Sequence, residues 1–304
     1  MTSADLLPAC SFPPPGTMVD LAVSGGSDSL GLLLLALDAQ LEVRVHHVDH
    51  HARPSSDEDA RFVVALANSL DVPVTVYDVL VEPGANFEAR ARAERRRVLP
   101  NRCLTGHTMD DLAETVLLNM LRGAGVDGLS PMVNDPTKPL LGLRRATLAD
   151  YVTGRGLQAR VDESNDNLAF RRNRVRHQLV PLLNEVAERD VVPVLARQAE
   201  VLFEDRQWLS ELLSDDLARG IEEVDCRELR DWPRARLVRW LRAKLARHDD
   251  LGESHPPSSA EIERVLRVIS GEVVAVELEG GRRLSRRSQR LALEGDSTTL
   301  TRHG

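Results

Sequence analysis

Between Asp20 and Ala39 the chain reads DLAVSGGSDSLGLLLLALDA, two apolar runs separated by Ser24, Gly25, Gly26, Ser27, Asp28 and Ser29. A glycine-rich turn that leaves a strand and opens a helix carries unpaired backbone N–H groups at the positive end of the helix dipole. It makes a nest for an anion, phosphate above all. No lysine follows these glycines and no G-x-G-x-x-G is present, which removes the two commonest phosphate loops. A second group stands in GHTMDDLAET, where His107, Asp110, Asp111 and Glu114 lie three and four apart on one helix face, with Leu112, Val116, Leu117 and Met120 on the others. Carboxylates beside a polyphosphate suit Mg2+, with Asp110 and Asp111 as its candidate ligands. In HHVDHH, strand alternation puts His47, Asp49 and His51 on one face and His46 and His50 on the other, so a single ion would meet at most three. Arginines crowd RARAERRRVLPNR, RRNRVR, RARLVRWLRAKLAR and RRLSRRSQR. Four such clusters point to a polyanion partner.

These groups need elements to hold them. Apolar runs and helical patterns alternate through the first half, the pattern of a parallel sheet with crossover helices. Strands are expected over 18–23, 41–48, 72–79 and 102–105, and helices over 29–40, 55–70, 87–98 and 109–121. Right-handed crossovers bring SGGSDS, DHHARPSS and GHTMDD to one edge, where open sheets bind ligands. The expected fold class is α/β: a Rossmann-like parallel sheet with helices on both faces, plus a small α+β C-terminal domain. From Gly142 the periodicity becomes helical, interrupted by DESNDNLAFRRNRVRH, which is too charged for a core and reads as a surface or binding loop. Leu179 to Leu217 reads as helices leaving the first domain. Beyond them come a basic amphipathic helix with Leu237, Leu241 and Leu245 on one stripe, a helix opening at a capping box from Ser258 to Glu261, and a hairpin around Gly280-Gly281. The expected division is a first domain over 1–200 and a C-terminal domain over 201–304, joined through a helical connector.

With 304 residues, 42% of them hydrophobic, the chain can build proper cores, and a net charge of -8 argues against coating nucleic acid by bulk charge alone. Cys10, Cys103 and Cys226 form no C-x-x-C pair, so neither a disulfide framework nor a thiolate zinc site is suggested. The first residues show no basic and apolar leader, and no apolar run approaches the ~20 residues that span a bilayer. A cytoplasmic protein without membrane anchoring is expected.

S-G-G-x-D-S after a strand resembles the loop of the ATP pyrophosphatases, the PP-loop proteins of adenine nucleotide alpha hydrolase-like fold, which cleave ATP to AMP and pyrophosphate. Three further stretches are similar to one family within them, the tRNA(Ile)-lysidine synthases. HVDHHAR, from His47 to Arg53, resembles H-V-[ND]-H-G-L-R. GHTMDDLAETVLLNMLRGAGVDGLSPM, from Gly106 to Met132, resembles G-H-H-x-D-D-x-A-E-T and the R-G-x-G-x-x-G-L that follows. The stretch from Lys138 to Leu183 resembles R-P-L-L, E-D-x-S-N and R-N-x-[IV]-R-H in the same order. The resemblance is strong from Val19 to Leu183 and loose in the tail. It departs at Thr108, at His51 and Ala52, at Arg96 and at Val161, where the family pattern has histidine, glycine and leucine, tyrosine, and glutamate.

The resemblance implies an ATP-dependent ligase. The wobble cytidine of tRNA(Ile) with a CAU anticodon is adenylated at its C2 oxygen, pyrophosphate leaves, and free L-lysine displaces AMP to give lysidine. It further implies ATP on Ser24, Gly25, Gly26, Ser27, Asp28 and Ser29 with Mg2+, and chemistry on Asp28, His107, Asp110, Asp111 and Glu114. The tRNA would meet Arg92, Arg122, Asn165, Arg172, Asn173, Arg174, Arg176 and His177. Lysine arrives protonated, and with an amine pKa of about 10.4 its deprotonation at pH 7 costs roughly 4.6 kcal/mol. The Asp110–Asp111 pair is the expected base because it also attracts the cation; Asp28 and His107 are the other candidates. Rival readings are a PP-loop tRNA thiolase, an ATP pyrophosphatase acting on a small molecule, and a non-catalytic nucleotide- or RNA-binding module. The assembly is left open, a homodimer among the options.

Overall fold

The computed structural model describes residues 2–49, 51, 56–80, 87–160, 167–248 and 254–295, except for the side chains of 87–89, 91 and 92. Asn165, Val161 and the side chain of Arg92 therefore lie outside the described residues. Two compact units emerge, Met1–Arg206 and Gln207–Gly304.

In the first unit, β1 (Met18–Ala22), β2 (Glu42–Asp49) and β3 (Val74–Asp78) form a parallel sheet in the order β1-β2-β3. Leu21 pairs with Val45 and Val45 with Val74. The expected fourth strand contributes one residue: the Leu104 N–H donates to Asp20 O at 2.7 Å and its carbonyl accepts from Ala22 N at 2.9 Å. Arg102 sits in the left-handed region at φ +65, and the Thr105 N–H turns away to Thr137 O. The chain thus bends into and out of the sheet within a few residues.

Along this unit run the helices α1 (Ser27–Asp38), α2 (Ser56–Ser69), α3 (Phe87–Val98), α4 (Met109–Leu121) and α5 (Arg145–Gly154), of which α1 and α2 pack on the sheet. Helix α1 is apolar all round, which requires cover on every side. It packs on β1, β2 and α5, and Leu30, Leu32, Leu33, Leu34 and Leu35 are each at most 2% exposed. Each such leucine contributes about 1.5–3 kcal/mol of burial, so this helix anchors the core. The approach to α5 is close enough that a Cβ on Gly31 would stand 2.8 Å from Leu148 Cδ2. At the far end, Asp38 Oδ2 accepts from Tyr151 Oη and Arg155 Nη1, both at 2.7 Å.

The arginine-rich segment is helical over Arg171–Arg174 and again over Val180–Ala187, with a π turn at Val175–Leu179 between them. Pro181 lacks an N–H, so the ordinary ladder fails there, and the Val180 N–H reaches back five residues to Val175 O.

In the second unit the helix Arg234–Leu245 buries Leu237, Trp240, Leu241 and Leu245. The helix Ser259–Ser270 opens on the expected capping box, with Ser258 Oγ accepting from Glu261 N and Glu261 Oε2 accepting from Ser258 N. The expected hairpin is a three-stranded antiparallel meander, Ala275–Glu277, Arg283–Arg287 and Arg290–Glu294. Its second turn, at Ser288 and Gln289 with φ +48 and +64, uses residues that carry no turn signature in the sequence. Among the described residues no helix is long and apolar enough to cross a membrane.

Candidate active site

The loop from Ser24 to Ser29 joins β1 to α1. Gly25 takes φ +90, a conformation glycine adopts without strain, and its carbonyl accepts from Arg160 N at 2.9 Å. Arg160 in turn donates to Asp59 Oδ1 at 2.7 Å and Glu58 Oε2 at 2.9 Å, fastening the loop to the start of α2. Ser29 is buried; its hydroxyl accepts from Ser24 N at 3.1 Å and donates to Gly26 O at 2.9 Å. Ser29 therefore braces the loop from inside. The N–H groups of the first turn of α1 lie outside the helix's own ladder, available to an anion.

Gly106 packs directly on this loop: a Cβ there would stand 2.6 Å from Asp28 O. That contact joins two motifs far apart in sequence. From Gly106 the chain enters α4 through Thr108, which is fully buried and caps the helix, donating from Oγ1 to Asp111 Oδ2 at 2.9 Å and accepting from Asp111 N. His107 is next to it, its Nδ1 2.8 Å from Thr105 Oγ1. Burial pushes the His107 imidazole down to about 4, against the raising pull of Asp111. At neutral pH it is an uncharged donor and acceptor.

The carboxylates of α4 do not stand open. Arg145, the first residue of α5, reaches Asp28 Oδ2 at 3.1 Å, Asp111 Oδ1 at 2.9 Å and Glu114 Oε1 at 3.1 Å. Glu114, its side chain 2% exposed, also accepts from Arg172 Nε at 2.8 Å and Arg176 Nε at 2.7 Å. Three carboxylates thus meet three guanidinium groups. Burial works against the charge of Glu114, yet hydrogen bonds from Arg176 and the charge of Arg145 hold its carboxyl below the usual range. Asp111 is likewise held down by Arg145 and Arg172 against burial. Asp110 is apart from this cluster: it receives Arg144 Nε and Nη2, both at 3.1 Å, and caps α5 through Arg145 N at 2.8 Å. Asp28 differs from all of them, because burial pushes its carboxyl up to about 6 and Arg145 only partly opposes this.

Both oxygens of Asp110 and both of Asp111 are committed to cationic or N–H and O–H donors. This donor set does not fit a Mg2+ ion held by the pair. Nor is the pair poised as a base, since both carboxyls lie below the ordinary range.

The structure sorts the expected tRNA residues. Arg172 and Arg176 turn inward to the carboxylates, and buried Asn173 donates to Asn167 O at 2.9 Å. Arg122, Arg174 and His177 are exposed. Arg145 carried no role in the sequence reading, although a signal was present: two successive arginines at a helix N-terminus oppose the dipole and need carboxylate partners. The histidine run also resolves. His46 lies between Asp20 Oδ1 at 2.8 Å and Tyr77 Oη at 3.1 Å, and His47 Nδ1 is 2.8 Å from Val23 O, so both serve the sheet.

Comparison with known proteins gives the family. Residues 10–183 match the PP-loop domain family ATP_bind_3. The tRNA(Ile)-lysidine synthase of Gloeobacter violaceus is 39% identical over 238 residues, 72% of this chain and 73% of that protein. The chain belongs to the tRNA(Ile)-lysidine synthase family. A second synthase of the family, from Rhodococcus erythropolis, is 37% identical over 76% of this chain and 74% of its own length. Among solved structures, the U34-tRNA thiolase NcsA from Methanococcus maripaludis, with its [4Fe-4S] cluster, aligns with a TM-score of 0.54 at 16% identity, over 66% of this chain and 78% of that one. At that identity the likeness speaks for the fold. Two departures from the synthase pattern now have physical readings. Thr108 replaces histidine with a good N-cap, and His51 occupies a left-handed position, φ +46, where the family pattern has glycine.

Proposed function

We propose that this protein is an ATP-dependent ligase that joins free L-lysine to C2 of the wobble cytidine in tRNA(Ile) with a CAU anticodon. The C2 oxygen takes the AMP moiety of ATP and pyrophosphate leaves. A lysine amine then attacks C2, AMP departs with that oxygen, and the amine proton passes to a base. Adenylation is needed because a carbonyl oxygen is a poor leaving group. The observation that carries this reading is the contact of Gly106 with Asp28, which makes the phosphate loop and the carboxylate helix one site in a chain related to lysidine synthases.

Mg2+ would supply charge neutralisation to the phosphates of ATP, and the first-turn N–H groups of α1 receive the departing pyrophosphate. Asp28 is the base the geometry favours: it lies in the loop itself, and a carboxyl near 6 takes up a proton at neutral pH better than one held low. His107, uncharged, orients a polar substrate group by hydrogen bonding. Glu114 and Asp111 act through Arg145, Arg172 and Arg176, keeping the floor of the site electrically balanced. Arg122, Arg174 and His177 meet tRNA phosphates, and the second unit, with its basic helix, adds grip; the setting is the cytoplasm, where ATP, lysine and tRNA coexist.

A thiolase reading is disfavoured by the thiols. Burial pushes Cys10 and Cys103 up to about 12 and raises Cys226 as well, so none is a ready thiolate, and none joins a ligand cluster among the described residues. The test is incubation with ATP, Mg2+, labelled lysine and a CAU-anticodon tRNA(Ile), expecting label in the RNA. ATP cleavage without lysine incorporation would refute the acceptor assignment.

A further inference from the structure

His47 is buried near the carboxyl end of β2, and nothing in the proposed reaction uses it. Its Nδ1 lies 2.8 Å from the carbonyl oxygen of Val23, the last residue before the phosphate loop. A carbonyl oxygen has no proton to give, so Nδ1 carries the hydrogen and donates it. In the neutral ring Nε2 then holds a lone pair and can only accept. His46 differs, because both of its ring nitrogens have partners, Asp20 and Tyr77. No hydrogen bond among the described residues reaches Nε2 of His47, and that atom is not one of the unpartnered polar atoms sealed from solvent. A ring only 4% exposed thus keeps one acceptor open and reachable.

The sheet places that acceptor. Val23 N donates to His46 O at 2.9 Å, so the chain of β1 runs beside β2 right up to the loop. On the other edge of β1, Leu21 bridges to Leu104, from which the chain passes through Gly106 into α4. The loop therefore leaves the sheet between two neighbours. On one side stands β2 with His47; on the other stand α4 and its carboxylates, with Arg172 and Arg176 paired to them. The phosphates take the first turn of α1 between these, and the acceptor substrates belong with α4. The β2 side is left for the nucleoside of ATP.

We propose that His47 is a specificity-determining residue, its Nε2 accepting a hydrogen bond from a donor on that nucleoside, a ribose hydroxyl or the adenine 6-amino group. Phosphate oxygens bring no proton and repel a lone pair, so they are not its partners. The inference rests on the ATP reading above and adds what a phosphate nest lacks. Backbone N–H groups that hold phosphates are blind to base and sugar, whereas an acceptor fixed in one tautomer favours a nucleotide that presents a donor there and leaves its analogue unpaired. The rival partner for Nε2 is the ammonium of the substrate lysine.

Isothermal titration of the full chain, without lysine or tRNA, compares ATP with 2′-deoxy-ATP, 3′-deoxy-ATP and purine riboside triphosphate, each lacking one of the candidate donors. The wild type should bind one of the three about tenfold more weakly than ATP. His47→Asn retains an N–H for the Val23 carbonyl but has no counterpart of Nε2; it should bind ATP about tenfold more weakly than the wild type and no longer distinguish ATP from that analogue. A second measurement needs no variant: in 15N-histidine-labelled wild type, Nε2 of His47 should resonate as an unprotonated nitrogen and shift on addition of ATP but not of lysine. Equal binding of ATP and all three analogues, an analogue penalty that survives unchanged in His47→Asn, or a shift produced by lysine would overturn the role of His47 while leaving the ATP reading intact. Failure of the wild type to bind ATP at all would refute that reading, and this one with it.

Discussion

Replacing Asp28 with asparagine should leave the protein more stable and inactive. Burial pushes the Asp28 carboxyl from 3.8 to about 6, overcoming the opposing charge of Arg145, whose Nε lies 3.1 Å from Oδ2. In the unfolded chain the group ionises near its ordinary value. Between the two values the folded protein holds the proton while the unfolded chain has lost it. Stability therefore falls as pH rises from about 4 to about 6, and is level above that. A rise of about two pH units at about 1.4 kcal/mol each means that the ionised side chain costs about 3 kcal/mol at pH 7.5. Asparagine removes that cost but offers Arg145 a weaker, neutral acceptor, so a gain of about 2 kcal/mol remains. In a unit of this size that is a Tm rise of about 4–8 °C. The assay is urea or thermal unfolding of wild type and Asp28→Asn at pH 7.5 and pH 5, where the titration part of the difference should shrink to about half. Lysine incorporation into tRNA, measured alongside, should disappear. A variant less stable than wild type at pH 7.5, or a stability difference identical at both pH values, would refute the argument that Asp28 is a strained, functional carboxylate.

Glu114→Gln should do the opposite, destabilising by about 3–5 kcal/mol because three guanidinium groups lose a buried counter-charge; calorimetry should show the Tm falling by about 6–20 °C. Gly106→Ala forces a Cβ to within 2.6 Å of the Asp28 carbonyl, so the phosphate loop must shift. Nucleotide binding, read by isothermal titration with ATP, should weaken by about tenfold or more, roughly 1.4 kcal/mol. Arg174→Ala should weaken tRNA binding evenly across sequences and lower the slope of log K against log salt by about 0.7–0.9, with Tm unchanged. Arg172→Ala should instead lower Tm, since its guanidinium holds Glu114 and Asp111.

Much of the site is legible in the sequence because local rules govern it. The order of small residues in SGGSDS already specifies a strand–turn–helix anion nest, and the alternation of apolar runs with helical patterns already brings the loops to one sheet edge. Capping chemistry placed Ser258 and Glu261 without error, because both partners lie within one turn. What the sequence could not decide is which charges meet. Asp110, Asp111 and Glu114 share a helix face and look interchangeable there, yet Arg145 is 31 residues beyond Glu114 and 117 beyond Asp28 along the chain, and it reaches both. Pairing across such separations depends on where α5 packs, which is set by the buried leucines of α1 and by Gly31 against Leu148. The same dependence seats Arg172 and Arg176 against Glu114 and leaves Arg174, two positions from each, exposed. Residue type and spacing determined what chemistry this chain carries. Only tertiary packing decided which carboxylate is neutralised, which is pushed up toward neutral pH, and which arginines stay exposed, because burial and charge pairing are properties of the assembled fold.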